Sequence, residues 1–558
     1  MYRARAAGNG LSAIHARLLE HRWAAISPRR VGSMTRSMAT SPGDHGRGSK
    51  ADSEHSILYW TMASCAVFVP LFFALTERRK DSSPPDGAQH PPPKNLPNAS
   101  PTLAWERKSH VPHTTSRSPE ASFGYIFVGA GTASFAAEEA VREKDPNADI
   151  LIISDEGLPP YQRPPLSKEL WLEGADVQQL TFKDWRGGNR DIFYAHPSSY
   201  LTSASASELK GPLPSGKSGK LLVAKVVAVD PSKKTVSLDN GVLLSFERGV
   251  LLATGGRPRQ PAFSLPEGKA TIYRTANDYQ QLEQITKATK SILIIGNGFL
   301  GSELAAALSS RGVNITQAFE EDGHLALTLP RYLSQWTTSR IRSQGVNVLP
   351  NTRFTSAKED PKRGVVVETS DGGSVVADHV VLTLGVQPNS EVAKGARMAV
   401  DPEKGGIAVN SFLEAVPGVY AAGDVISFQD TALGQRRQFE HHDHAVMSGK
   451  TAGSNLVGAK TPYTHQPMFW FEVGPEINCE AVGILDATLP TVGVWAKEDQ
   501  AEKRYRKGVV FYLREKQVVG ILMWNLFGKI GTARRILEQR RMVHDISEIA
   551  GYFDVHDS

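Results

Sequence analysis

Ser291-Ile-Leu-Ile-Ile-Gly-Asn-Gly-Phe-Leu-Gly-Ser-Glu-Leu-Ala-Ala-Ala-Leu308 decides the fold: a β-branched run, glycines at 296, 298 and 301, then a helical pattern. A buried parallel strand that turns sharply into a helix needs glycine for the turn, for close approach of a pyrophosphate and for tight helix–strand packing. A Gly-x-Gly-x-x-Gly triplet alone is a weak signal. Here a strand precedes it, a helix follows it, and the acids Glu320 and Glu321 stand after the next apolar run, Val313 to Phe319. A carboxylate there accepts hydrogen bonds from a ribose and repels a 2′-phosphate, which favours NAD over NADP.

The pattern occurs twice. Phe123-Gly-Tyr-Ile-Phe-Val-Gly-Ala-Gly-Thr-Ala-Ser134 keeps Gly129 and Gly131 and puts Ser134 at the third small position. A helix is expected over Ala133 to Lys144 and a strand over Asp149 to Ile153, ending near Asp155 as the ribose acid. Downstream, Pro160-Tyr-Gln-Arg-Pro-Pro-Leu-Ser-Lys168 fixes an arginine and a lysine in a proline-stiffened loop, which suits a phosphate or flavin rim and equally suits a surface turn. Leu180 to Trp185 and Ser218 to Leu244 alternate with strand period, with Asp239-Asn-Gly241 as a hairpin turn. Each cradle then has its own terminating strand and glycine, Gly249 to Gly256 and His379 to Gly385, so the second unit reads as an insertion into the first. Gly418-Val-Tyr-Ala-Ala-Gly-Asp424 delivers an aspartate suited to a ribityl hydroxyl, and a helix N-terminus is expected after it, facing a pyrophosphate.

At 558 residues the chain exceeds one core. Net charge is only +5, with much of the excess in the first hundred residues, so nothing global points to nucleic acid. The two cysteines, Cys65 and Cys479, exclude a disulfide scaffold and a two-cysteine relay. Residues 1–41 carry seven arginines and one acid, Glu20, the pattern that mitochondrial import reads. Ile57 to Leu75 holds no charge over nineteen residues, and a helical rise of ~1.5 Å per residue lets it span ~30 Å of hydrocarbon. Ser82 to Ala121 is Pro- and Ser-rich with little apolar clustering, as in a linker.

Together these features resemble the two-dinucleotide-binding flavoprotein reductases, and most closely the mitochondrial branch of that family. The most specific words are Tyr161-Gln-Arg-Pro-Pro-Leu-Ser-Lys-Glu-Leu-Trp171, Ile295-Gly-Asn-Gly-Phe-Leu-Gly-Ser-Glu303, Glu440-His-His-Asp-His-Ala445 and Gly508-Val-Val-Phe-Tyr-Leu-Arg514. The resemblance implies an α/β fold of two Rossmann-like dinucleotide-binding domains, glutathione-reductase-like, plus an α+β C-terminal domain. Its expected layout is a presequence over 1–55, a transmembrane anchor over 56–76 and a linker over 77–121. An FAD-binding domain over 122–256 and 387–468, an NAD-binding domain over 257–386 and a C-terminal domain over 469–558 follow.

The resemblance further implies flavin contacts at Gly129, Gly131, Thr132, Asp155, Arg163, Lys168, Val226, Arg274 and Asp424. Nicotinamide-side contacts would be Gly298, Phe299, Leu300, Glu321, Gly385, Glu440, His441, Trp470 and Glu480. Lys168, Glu303, Trp470 and His441 would serve the hydride transfer, the first two as an ion pair beside the flavin. Three departures stand out: Leu327 where the family has lysine, a short segment after Val494, and a shorter helix after Leu308.

Chemically, hydride transfer needs stacked rings and excluded water rather than a general base. Trp470 suits such a platform and equally suits a core. Neighbours on a helix diverge by ~100°, so His441-His442-Asp443-His444 is not expected to hold a metal. Two readings stay open. One is an NADH:FAD oxidoreductase at the inner mitochondrial membrane, facing the intermembrane space. The other is a redox-gated docking protein for a cysteine-rich import factor, with roles in respiratory-complex biogenesis or, after release to the nucleus, cell death. A ferredoxin-reductase-type electron transferase is a third. An NADH-linked homodimer is an expectation from the family, and Arg436-Arg437 offers only a thin DNA patch.

Overall fold

The computed structural model describes residues 118–184, 187–497, 505–540, 542 and 545–556. The presequence, the anchor run Ile57–Leu75 and all but the end of the linker lie outside the described residues, as do Cys65 and Trp185. Among the described residues no helix is long and apolar enough to cross a membrane.

Ala121–Val128 (β1) is followed by Thr132–Arg142 (α1), Ile150–Ser154 (β2), Gly219–Val223 (β3) and Leu243–Leu252 (β4). β1 lies between β2 and β4, parallel to both, with Phe127 opposite Ile152 and Leu251. β3 pairs with the outer side of β2, and Tyr200–Ser203 forms the edge beyond it. These strands are apolar on both faces, as a parallel sheet covered on two sides requires. The expected hairpin is present, with Thr235–Leu238 antiparallel to the start of β4 around Gly241, whose φ of 84° is left-handed.

A second parallel sheet follows. Its members in chain order are Ala270–Ile272 (β5), Ser291–Ile295 (β6), Asn314–Ala318 (β7), Asn347–Leu349 (β8) and His379–Leu382 (β9), arranged β5-β9-β6-β7-β8. Phe299–Ser310 (α2) connects β6 to β7. The chain then returns: Val419–Ala421 (β10) lies parallel to β4 and joins the first sheet. No helix follows β10. Gly423–Val425 is a single 3-10 turn leading into the strand Ile426–Asp430, so Asp424 sits on a turn rather than at a helix N-terminus. The helix comes later, as His442–Leu456 (α3).

The third sheet is antiparallel and contains Met468–Val473 (β11), Ile477–Gly483 (β12), Thr491–Trp495 (β13), Gly508–Arg514 (β14) and Gln517–Trp524 (β15). Its order is β11-β12-β15-β14-β13, and Ile530–Gln539 (α4) packs on β12 and β15. β13 pairs directly with β14 through Trp495 and Gly508, which fits the short segment seen after Val494.

Glycine is decisive at two equivalent points. Gly129 (φ 106°) and Gly296 (φ 125°) follow β1 and β6, and a Cβ there would stand 2.2 Å from the Ala253 carbonyl and 2.5 Å from the Thr383 carbonyl. Each of those carbonyls lies just past the terminating strand of its own sheet, β4 or β9. The two cradles therefore share one solution: the turn presses against the neighbouring strand end, and no side chain fits between.

Candidate cofactor cleft

A cleft of about 860 Å³ runs between the C-terminal ends of the two parallel sheets, at the upper end of the usual range for a small-molecule site. It is lined by Gly129, Gly131, Thr132, Asp155, Arg163, Lys168, Arg274 and Asp424, and equally by Gly298, Phe299, Leu300, Glu303, Glu321, Gly385, Glu440, His441 and Trp470. Of the residues singled out from the sequence, Val226 and Glu480 are not among the lining. Val226 opens a strand and packs in the core of the first sheet, while Glu480 is buried in β12 opposite Trp470.

Two helices begin in the cleft without a side-chain cap. Gly131 precedes α1, Gly298 precedes α2, and neither helix has an acid in its first turn. A Cβ built on either glycine would meet nothing within 4 Å, so the backbone is bare toward the cleft. The free N–H groups and the positive end of each helix form a ready site for an anionic group. Behind them, Tyr194 Oη donates to Thr132 Oγ1 at 2.8 Å and stacks on Phe135.

The proline-stiffened loop forms a fixed polar network. The Arg163 guanidinium donates to Glu156, to Tyr161 Oη at 2.8 Å and to the Arg274 carbonyl at 3.1 Å. Burial alone would raise the Glu156 carboxyl, but Arg163 and the Tyr161 hydroxyl outweigh it and hold it below its ordinary range. Arg274 Nη2 in turn pairs with Asp424 at 3.1 Å. Glu156 and Tyr161 were not singled out as site residues; the signal was their position beside the Arg163 word.

At the centre, Lys168 Nζ lies 2.9 Å from the Glu303 carboxylate. Ser167 Oγ donates to the same carboxylate at 2.6 Å and the Glu472 N–H at 3.2 Å. Burial on its own would lower the Lys168 ammonium, but Glu303 and then Glu472 hold it above its ordinary value. Its charge is therefore fixed. The imidazoles are neutral instead: burial, aided by Lys168, pushes His441 down to about 3, and burial pushes His442 down to about 4. Glu440 is raised, by burial and then by Asp424.

His441 Nε2 meets the Trp470 carbonyl at 3.2 Å, and its ring stands edge-on to the Trp470 indole at 4.5 Å. Its Nδ1 is buried without a protein partner. The neighbouring side chains diverge: Asp443 goes to His465 and Arg534, and His444 to Tyr463. Among the described residues no group of three His, Cys, Asp or Glu side chains could hold a metal ion. The donor set fits two dinucleotides. It offers two bare helix N-termini for pyrophosphates, acids just past β2 and β7 for riboses, and the Lys168 ammonium on the lining. Leu327 also lines the cleft, 70 % exposed, and brings no charge.

A family model described as pyridine nucleotide-disulphide oxidoreductase matches residues 123–449. Another, described as apoptosis-inducing factor, mitochondrion-associated, C-term, matches 452–504 and 497–539. The chain is 38 % identical over 450 residues to the mitochondrial apoptosis-inducing factor 1 of Dictyostelium discoideum, covering 78 % of this chain and 82 % of that protein. It is 37 % identical over 493 residues to the putative mitochondrial apoptosis-inducing factor 1 of Drosophila melanogaster, covering 77 % of this chain but only 65 % of that longer protein. Among solved structures, a ferredoxin reductase of Rhodopseudomonas palustris superposes with a TM-score of 0.63 at 25 % identity, covering 77 % of this chain and 98 % of that one.

Proposed function

The chain belongs to the pyridine nucleotide-disulphide oxidoreductase family and binds that family's cofactors, FAD and NAD(H); from this we propose that it is an NADH-consuming flavoprotein of the apoptosis-inducing-factor type. When both are bound, the nicotinamide supplies a hydride and the flavin accepts it. We assign FAD to the first cradle with Asp155, Arg163, Arg274 and Asp424, and NADH to the second with Gly298, Glu321 and Gly385. The carrying observation is the Lys168–Glu303 pair, which joins the two cradles at one point.

Lys168 holds a fixed positive charge where negative charge accumulates on reduction, and Glu303 holds Lys168 in place. His441, neutral, and Trp470 supply flat apolar walls that exclude water. Glu440, raised by burial and then by Asp424, lines the same cleft beside His441.

The mitochondrial setting rests on the names of the two relatives and on the arginine-rich start of the chain. Anchoring through residues 57–75 rests on their hydropathy alone, and docking of an import factor or a role in cell death on the family resemblance. A DNA-binding role finds no support at Arg436 and Arg437. Arg437 is buried against Asp430, and Arg436 donates to the carbonyls of Val409 and Ser427. The C-terminal family match favours this reading over a ferredoxin reductase.

Purified protein is expected to be yellow with bound FAD and to bleach when NADH is added anaerobically. A colourless protein, or a flavin that NADH leaves unchanged, overturns the reading.

A further inference from the structure

We propose that Arg353 is a latent arm for a ribose 2′-phosphate, and that Glu320 holds it shut, so that this pair sets the rejection of NADPH. The proposal rests on the assignment of NADH to the second cradle. Strand β7 ends at Ala318 and delivers Phe319, Glu320 and Glu321 to the rim of the cleft. The segment after the neighbouring strand β8 runs alongside. The Thr352 N–H donates to the Phe319 carbonyl at 2.8 Å, and the Asn351 N–H to the Glu321 carbonyl at 2.9 Å. These two bonds fix Arg353 beside the pair of acids. Thr352 and Phe354, its two neighbours in sequence, line the cleft themselves.

The two acids have different employment. Arg353 donates to Glu320 Oε2 through both Nε (3.0 Å) and Nη2 (2.7 Å). Asp322, the next acid, is taken by Arg331 at 3.0 Å. Glu321 has no part in either pair, which leaves it to accept from a ribose. The Glu320 carboxylate therefore acts twice: it cancels the Arg353 guanidinium and adds to the repulsion of a dianionic phosphate. Both side chains of the pair are more than half exposed, at 66 % and 56 %. An ion pair in water is a weak latch that gives way once one partner is changed. A guanidinium freed there has the geometry and the permanent charge that recognition of a phosphate needs. Leu327, also on the cleft lining, offers no competing charge.

The test uses the full chain with its flavin bound. Binding of 5′-AMP and of 2′,5′-ADP is measured by calorimetry at low salt for wild type, Glu320→Gln and Glu320→Gln/Arg353→Ala. The flavin response to NADH and NADPH is followed in parallel. Glu320→Gln is expected to shift the ratio of the two affinities about tenfold toward 2′,5′-ADP. Adding Arg353→Ala is expected to abolish the shift, and raising the salt to shrink it. An unchanged ratio in Glu320→Gln, or a shift that survives loss of Arg353, overturns the proposal while leaving the NADH assignment standing. A wild type that binds neither adenosine ligand and whose flavin ignores NADH overturns that assignment, and the proposal with it.

Discussion

Glu472 illustrates what a single side chain carries in this cleft. Its N–H serves Glu303, while its own Oε1 is buried without a protein partner. The charged groups facing it are Lys168 and Glu169 from the loop and Glu303 from α2; burial, with both carboxylates helping and Lys168 opposing, pushes it up to about 7. Its pKa in the fold thus lies above the ordinary 4.5, so the fold favours the protonated form. That contribution is fully present below about pH 4.5 and is lost as pH rises through 7. Glu472→Gln should therefore stabilise the protein at pH 8 relative to pH 5, by about 2 kcal/mol. Melting temperatures of both forms at both pH values check this, and an equal offset at pH 5 and pH 8 refutes it. The sequence points to Lys168 and Glu303 because they stand inside distinctive words. It is silent on Glu472 and Ser167, since the aromatic run up to Phe471 reads as a platform or as core and says nothing of the acid after it. What raises a carboxyl is the set of groups folded against it from distant parts of the chain.

Among the elements, α1 and α3 cross in close contact at two glycines. A Cβ on Gly449 would stand 2.4 Å from the Ala133 carbonyl, and one on Gly453 2.5 Å from that of Ala137. Both helices open on the cleft, one at Gly131 and the other at His441, so their spacing bears on the width of the cleft there. Gly453→Ala is expected to cost about 1–3 kcal/mol through this overlap and to lower the flavin content. A melting curve and the ratio of flavin to protein absorbance measure both, and a variant with wild-type values for each would show that the crossing has slack. Strand, turn and helix of both cradles were legible because glycine spacing and β-branched runs are local signals. The contact between α1 and α3 was not, because alanine and glycine in a helix do not name the partner they touch. The helix expected after Asp424 failed for a related reason. Ala-Ala-Gly-Asp specifies a strand end and a turn, and the Ile426–Asp430 strand takes over where the helix was expected.

For the whole molecule, the duplication and the insertion of one unit into the other were readable from two glycine words and two terminating strands. How the third sheet attaches was not. Asp443 provides one fastening: it accepts from His465 at 2.7 Å, from the Met468 N–H at 3.0 Å and from Arg534 of α4 at 3.1 Å. Burial would raise this carboxyl, but His465 and Arg534 hold it well below its ordinary range. Asp443→Asn is expected to destabilise the protein by about 3 kcal/mol, because it leaves the Arg534 charge without its counter-ion. Limited proteolysis should then cut first within residues 525–556; cleavage at the wild-type rate would show that α4 is held by apolar packing alone. Glu303 is the second fastening, and its consequence is kinematic. One carboxylate, carried by the second unit, is gripped by Ser167 and Lys168 from the first and by a backbone donor of the third sheet. A hinge swing of any one unit would strip donors from a buried anion. The three units therefore behave as a keyed joint, whose mutual angle one buried carboxylate holds.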